Sequence, residues 1–301
     1  MSLSIAERLP PDTLHAEALA WPLDAPEVQR VRHDNGPLPL LGLKGIETRL
    51  GVLDFGPFDL GLRAGERVAI LGPSGAGKST LLKLMSGERA ARRGELRFDG
   101  VPLGRWALPA LARRRAVLPQ SFAVAFGLPV ELVVSLGRVA RDHDPGQARI
   151  VAAALALAQA AHLAGRRFDT LSGGEQARVQ LARVFAQLWD ERAALVLVDE
   201  PLAALDPGLQ FELMDALQGF GAERGHALVA VLHDLNQALS GFERLWLMQQ
   251  GRLIADLPAN RHAVGALERL YGIGLRCVDA ADGGFAVITR RRAAPNPKAS
   301  A

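Results

Sequence analysis

The chain has little cysteine, no long apolar run and almost no excess charge of either sign. One cysteine among 301 residues, Cys277, excludes an internal disulfide and fits a reducing compartment. From Met1 to Asp24 acidic residues and prolines stand where a secretory signal needs an apolar stretch, so no such signal is expected. No apolar run approaches the ~18 residues of a membrane span. The longest candidate, IVAAALALAQAA from Ile150, is short and reads as an alanine-rich helix. His15, His33, His143, His162, His226 and His262 show no metal-ligand spacing and read as surface groups. There is no internal repeat, and no heptad run to build a coiled coil. A formal charge of +3 does not choose between membrane and nucleic acid.

Apolar residues make up 49% of the chain, enough for one large domain or two small ones. Residues 1–36 contain PP, WPLDAP and DNGP, which break helices. They read as a flexible extension, with room for one short helix near His15 to Ala20. The tail RRRAAPNPKASA from Arg290 reads as disordered. Three short apolar runs stand between: RVAILG from Arg67, ALVLVDE from Ala194 and ALVAVLHD from Ala227. Continuous burial of this kind marks central strands of a parallel sheet, covered by helices on both faces. Helical patterns follow at Lys78 to Met85 and from about Pro207 to Phe220. Strand followed by helix, repeated, predicts an α/β fold with a mostly parallel sheet. Residues 121–169 differ. Helical stretches dominate there, notably Gly146 to Ala164, and the segment reads as a helical insertion.

Each apolar run ends in polar or glycine-rich residues, and ligands of open α/β sheets sit beyond the carboxyl ends of the strands. The three endings should therefore converge. The first is GPSGAGKST: Gly72, Pro73, Ser74, Gly75, Ala76, Gly77, Lys78, Ser79 and Thr80. Its backbone amides suit a phosphate cradle, Lys78 suits the β- and γ-phosphates of a nucleotide, and the Ser79 hydroxyl suits Mg²⁺. The second ending supplies Asp199 to hold Mg²⁺ and Glu200 to polarise the attacking water. The third supplies His233, a donor for a γ-phosphate oxygen. Gln120, which closes AVLPQ, is a neutral amide able to hold a metal-side water. Farther along, LSGGEQ opens another helix. Ser172 and Glu175 fit a capping box, and Gly173 and Gly174 present free amides at a helix start that suits an anion. Both readings of that stretch stand side by side.

Taken in order, the phosphate loop, Gln120, LSGGEQ, ALVLVDE, the ALD turn ending at Asp206, and His233 resemble the nucleotide-binding subunit of an ABC transporter, over about 37–257. The resemblance implies a P-loop NTPase (RecA-like) core over 37–120 and 170–260, with a helical ABC subdomain over 121–169 and a C-terminal segment over 261–301. It implies a head-to-tail homodimer in which Ser172, Gly173, Gly174 and Glu175 face the ATP held by the partner's Lys78. Asp206 would couple the two sites. The helical subdomain would dock on a membrane permease, and Gln120 would report nucleotide state to it. ARRRAVLPQ from Ala112, VVSLGR from Val133 and LSGGEQARVQLARVFAQLW from Leu171 are most similar to the ATPases of bacterial haem importers, close relatives of ferric-siderophore and cobalamin importers. That group implies a two-copy permease, a periplasmic haem-binding protein acting indirectly, and a peripheral position on the cytoplasmic face of the inner membrane. Nucleic acid is not an expected partner. DNA-repair members need a long coiled coil, and translation factors carry two nucleotide domains in one chain. Glu175 replaces the glutamine usual in this motif. Where many relatives stack adenine on an aromatic ring, this chain has Arg49 or Phe55.

Overall fold

A hairpin, not a strand–helix unit, opens the structure. The computed structural model describes residues 38–120, 127–200, 206–280 and 283–290. The extension with its expected helix near His15, and the tail after Arg290, lie outside them. β1 (Leu41–Leu50) and β2 (Leu53–Leu62) pair antiparallel. β3 (Arg67–Leu71) runs into α1 (Lys78–Met85). β4 (Arg93–Phe98) returns to pair with β1, and the short β5 (Val101–Pro102) completes a four-stranded sheet of order β2-β1-β4-β5. This antiparallel sheet has no counterpart in the sequence reading. Its strands mix buried and exposed positions with bulges in the register, so no clean alternation announces them.

α2 (Leu108–Arg114) leads into β6 (Arg115–Leu118). The helices α3 (Val130–Ser135), α4 (Gln147–Leu157) and α5 (Gly173–Leu188) follow. Next come β7 (Leu195–Asp199), α6 (Pro207–Arg224), β8 (Ala227–Val231) and α7 (Leu235–Gly241). β9 (Arg244–Gln249), β10 (Arg252–Pro258), α8 (Val264–Tyr271), β11 (Gly274–Asp279) and β12 (Phe285–Arg290) finish the described chain. The central sheet has six strands in the order β10-β9-β3-β8-β7-β6. All its pairings are parallel except β9 with β10. The expected α/β class with a mostly parallel sheet and helical segments is what the chain forms.

Period-two alternation along the central strands splits the interior into two cores. Ala69, Leu71, Val196, Val198, Leu228 and Ala230 face a core shared with α3, α4, α5 and α6. Val68, Ile70, Leu195, Leu197, Val229 and Val231 face a second core, closed by α1 and the antiparallel sheet. β7 and β8 are buried at every position, as strands covered on both faces must be. The register sets Ile70 beside Val231 and Asp199 beside Val231, so β3, β7 and β8 end at one level. Their continuations meet there. β11 and β12 form a separate antiparallel hairpin. No helix among the described residues is long and apolar enough to cross a membrane.

Candidate functional site: a phosphate loop facing two carboxylates

The loop after β3 is shaped by close approach. A Cβ on Gly72 would lie 2.2 Å from the Met248 carbonyl oxygen. Gly77 has φ 95, in the left-handed region, and a Cβ there would lie 2.7 Å from the Phe55 ring. An L side chain is therefore excluded at both positions. The Gly251 N–H donates to the Ala76 carbonyl at 3.0 Å, tying the loop to the β9–β10 turn. Lys78 folds back over this loop and is only 5% exposed. Its ammonium donates to the carbonyls of Gly72 at 2.9 Å and Pro73 at 3.2 Å, so a buried charge is solvated by backbone. These are bonds an anion on the loop's amides can replace.

β7 delivers the acids. The Ser79 hydroxyl donates to the Asp199 carboxylate at 2.9 Å, across 120 residues of sequence. Burial pushes the Asp199 carboxyl above its ordinary range, the Ser79 bond opposes this, and the neighbouring Glu200 charge adds to the rise. Glu200 has φ 44, an uncommon conformation for a residue with a side chain. A strained backbone of this kind costs on the order of 1–3 kcal/mol and is held by its surroundings. The turn leaves the Glu200 carboxylate 15% exposed, with three partners among the described residues. His233 Nε2 lies 2.7 Å from it, Lys78 Nζ 3.8 Å, and Gln120 Nε2 donates to it at 3.4 Å. Asp234, beside His233, caps α7 by accepting from the N–H groups of Asn236 and Gln237. The three strand endings thus converge, with Lys78, Ser79, Asp199, Glu200, His233 and Gln120 in one group.

A second group forms around the start of α5. The Ser172 hydroxyl accepts from the Glu175 N–H at 3.3 Å, and the Glu175 carboxylate accepts from the Ser172 N–H at 2.8 Å. The expected capping box is therefore present. The Ser172 N–H, with the Ser172 hydroxyl and Arg166 adding to it, holds the Glu175 carboxyl below its usual range. Arg166 donates to Glu175 at 2.6 Å. The box leaves the N–H groups of Gly173 and Gly174 in the first turn, where a helix supplies no acceptor. Ser172 and Gly173 are exposed. Asp206 caps α6 by accepting from the Leu209 N–H at 3.0 Å, and Leu209 packs so closely on Gly174 that a Cβ there would lie 2.7 Å from it. Among the described residues, no hydrogen bond or ion pair joins this group to the first.

Two readings change. His226 is not a surface group: it is 2% exposed, and its Nδ1 accepts from the Ala194 N–H at 3.0 Å. Phe55 is 5% exposed with its ring against Gly77, so it supports the phosphate loop from beneath. Arg49 is exposed and lies 3.7 Å from Asp54. One contact escaped sequence reasoning altogether. The Tyr271 hydroxyl, on α8, accepts from the Gly72 N–H at 3.0 Å. A tyrosine on an amphipathic helix gives no sign of a partner 199 residues away.

A phosphate loop over an Asp–Glu strand end, with a second helix start exposed for an anion, defines an ATP-hydrolysing cassette of the ABC type. A family model for the ABC transporter matches residues 55–203. The hemin import ATP-binding protein HmuV of Pseudomonas entomophila is 43% identical over 240 residues, covering 78% of this chain and 93% of that one. The protein of the same name from Streptomyces coelicolor is 45% identical over 234 residues, covering 75% and 81%. Among solved structures, an ABC transporter in an inward-facing conformation gives a TM-score of 0.70 at 22% identity, over 84% of this chain and 98% of that one. The ATP-binding cassette MJ0796, a dimer with ADP and Pi, gives 0.64 at 25% identity, over 73% and 98%. The chain belongs to the ABC transporter ATPases, in the family of hemin import ATP-binding proteins.

Proposed function

We propose that this chain powers hemin uptake as the ATP-hydrolysing subunit of an importer. It works as a head-to-tail homodimer on a two-copy permease fed by a periplasmic haem-binding protein. The observation that carries the hydrolytic part is the gathering of Lys78, Gln120 and His233 around the Glu200 carboxylate, beside the Ser79–Asp199 pair. ATP enters with its β- and γ-phosphates on the amides of the loop, and Lys78 exchanges its two carbonyl partners for phosphate oxygens. Glu200 orients or deprotonates the attacking water. His233 holds Glu200 in place and offers a donor near the γ-phosphate. Gln120 would hold a water beside a bound metal ion. Ser79 and Asp199 are hard oxygen donors 2.9 Å apart, and the raised Asp199 carboxyl gains an opposite charge from a cation there, so the pair fits Mg²⁺. Bound there, Mg²⁺ would supply neutralisation of phosphate charge.

The exposed start of α5 supports the dimer. Ser172 and the amides of Gly173 and Gly174 would meet the γ-phosphate on the partner, with Glu175 holding that helix start in shape. Asp206 would couple the two sites, since it caps α6 and α6 touches Gly174 through Leu209. Docking of residues 121–169 on the permease is supported by Leu132, Leu136 and Val139. They are exposed, Leu132 on α3 and Leu136 and Val139 on the short turn that follows it. The proposed place is the cytoplasmic face of the inner membrane, reached through that permease. Hemin as cargo rests on the relatives' names.

Growth of the source organism, with this chain deleted, on haem as sole iron source tests the proposal beside a ferric-siderophore control. The expected outcome is loss of growth on haem alone, restored by the intact chain and not by Lys78→Ala. Growth on haem with failure on the siderophore would reassign the cargo.

A further inference from the structure

We propose that α8 and the paired strands β11 and β12 form a strap that sets the geometry of the ATP site from outside the nucleotide core, with Tyr271 as a positioning residue on the phosphate loop and Asn236 as its attachment on the His233 side. The proposal rests on the ATP-site reading above. It begins with Gly72, a buried residue just past the last residue of β3. A buried N–H needs an acceptor. The Tyr271 hydroxyl supplies it at 3.0 Å. The carbonyl of the same glycine accepts from Lys78 at 2.9 Å. Gly72 is thus held on both sides, by α8 through its N–H and by the catalytic lysine through its oxygen. It has no room to shift toward β9, because the Met248 carbonyl already fills the place of a Cβ. Burial raises the Tyr271 hydroxyl above its ordinary pKa, so it remains a neutral acceptor throughout the working range.

The other end of the segment reaches the opposite side of the site. Asn236 on α7 donates to the Val287 carbonyl at 3.1 Å and accepts from the Val287 N–H at 2.7 Å. One side chain thereby imitates a strand partner for β12. α7 starts at the Asp234 cap, immediately after His233, whose Nε2 lies 2.7 Å from Glu200. Between the two anchors the segment is internally tied. The Leu275 N–H donates to the Glu268 carboxylate at 2.6 Å, and β11 pairs with β12 along its whole length. The geometry gives the two anchors different tasks. Tyr271 acts on the loop that receives phosphate, and Asn236 acts through α7 on the histidine that holds Glu200.

Steady-state ATP hydrolysis by the full chain separates these tasks. Tyr271→Phe keeps the ring and removes the acceptor. It should raise KM for ATP about three- to tenfold, the worth of one hydrogen bond, with kcat within about twofold. Asn236→Ala should do the reverse, lowering kcat with KM little changed. A spectroscopic arm uses the intact sequence. Tyr271 is the one tyrosine, so biosynthetic 3-fluorotyrosine labels this position alone. Its single ¹⁹F resonance should move when Mg-ATP is added. An unchanged KM in Tyr271→Phe overturns the proposal whatever the resonance does. So does a lower unfolding midpoint with both kinetic constants intact. If the variant fails to fold, the resonance decides: a shift supports the strap and a fixed line overturns it. Lys78→Ala is the control. If it still hydrolyses ATP, the site reading itself fails; if it is inactive and Tyr271→Phe has the wild-type KM, only the strap fails.

Discussion

His226 shows at the residue scale how location decides what a histidine does. It is enclosed near the end of α6, against the Phe220 ring at 5.5 Å between centroids. Burial, with the Arg224 charge adding to it, pushes its pKa down from 6.5 to about 4. The imidazole is therefore neutral, and the Ala194 N–H assigns Nδ1 as the acceptor. The unfolded chain takes up this proton near pH 6.5 and the folded chain only near pH 4. Below pH 6.5 the unfolded state binds more protons, so this contribution to stability is present at neutral pH and lost as pH falls through that window. The loss is on the order of 2–3 kcal/mol. Asn at 226 keeps an acceptor and has no titrating proton. Urea unfolding of His226→Asn should show a flatter pH dependence between pH 4 and pH 6.5 than the wild type; parallel slopes would exclude His226 as the source.

α5 carries the lesson at the element scale. Its first turn caps the helix, and in the function proposed above the same turn also meets a phosphate. The Ser172 hydroxyl and the Glu175 carboxylate satisfy one N–H each, which begins the helix. The amides left over are the ones an anion would use in that proposal. Glutamate in place of the usual glutamine fits this local chemistry, because an anionic acceptor at a helix start is favoured by the dipole and Arg166 partners its charge. Ser172→Ala removes one acceptor. It should lower unfolding stability by about 1 kcal/mol and weaken ATP-driven dimer formation on a sizing column. A dimer of undiminished strength would confine Ser172 to capping.

At the scale of the whole molecule, the site is assembled from parts that have little to do with one another locally. Lys78 starts α1, Glu200 follows β7, His233 follows β8 and Gln120 follows β6. The parallel sheet lines up these endings because its strands are held in register by their two buried faces. Glu200→Gln preserves the shape of the site and removes the charge that Lys78 and His233 face. Turnover should fall by about 100-fold or more, the usual weight of a general base. ATP should then hold the chain as a dimer during size-exclusion chromatography. Wild-type turnover in this variant would remove Glu200 from the chemistry.

Much of this was legible in the order of the residues. GPSGAGKST, the two acids after LVLV, His233 after LVAVL, and the S-x-x-E box are all local patterns. Short-range sterics, strand burial and first-turn hydrogen bonds dictate them, so a stretch of ten residues carries its own meaning. Packing alone decided the rest. The antiparallel sheet escaped notice because bulges break its alternation, and His226 because burial is a property of what covers a residue. Tyr271 is the sharpest case. Its meeting with Gly72 depends on where α8 settles against the core, and no periodicity in the chain encodes a single hydrogen bond between such distant positions. The amino-acid order settled which chemistry is present. The tertiary structure decided which groups hold one another, because side-chain contact between remote segments follows from the packing of whole elements.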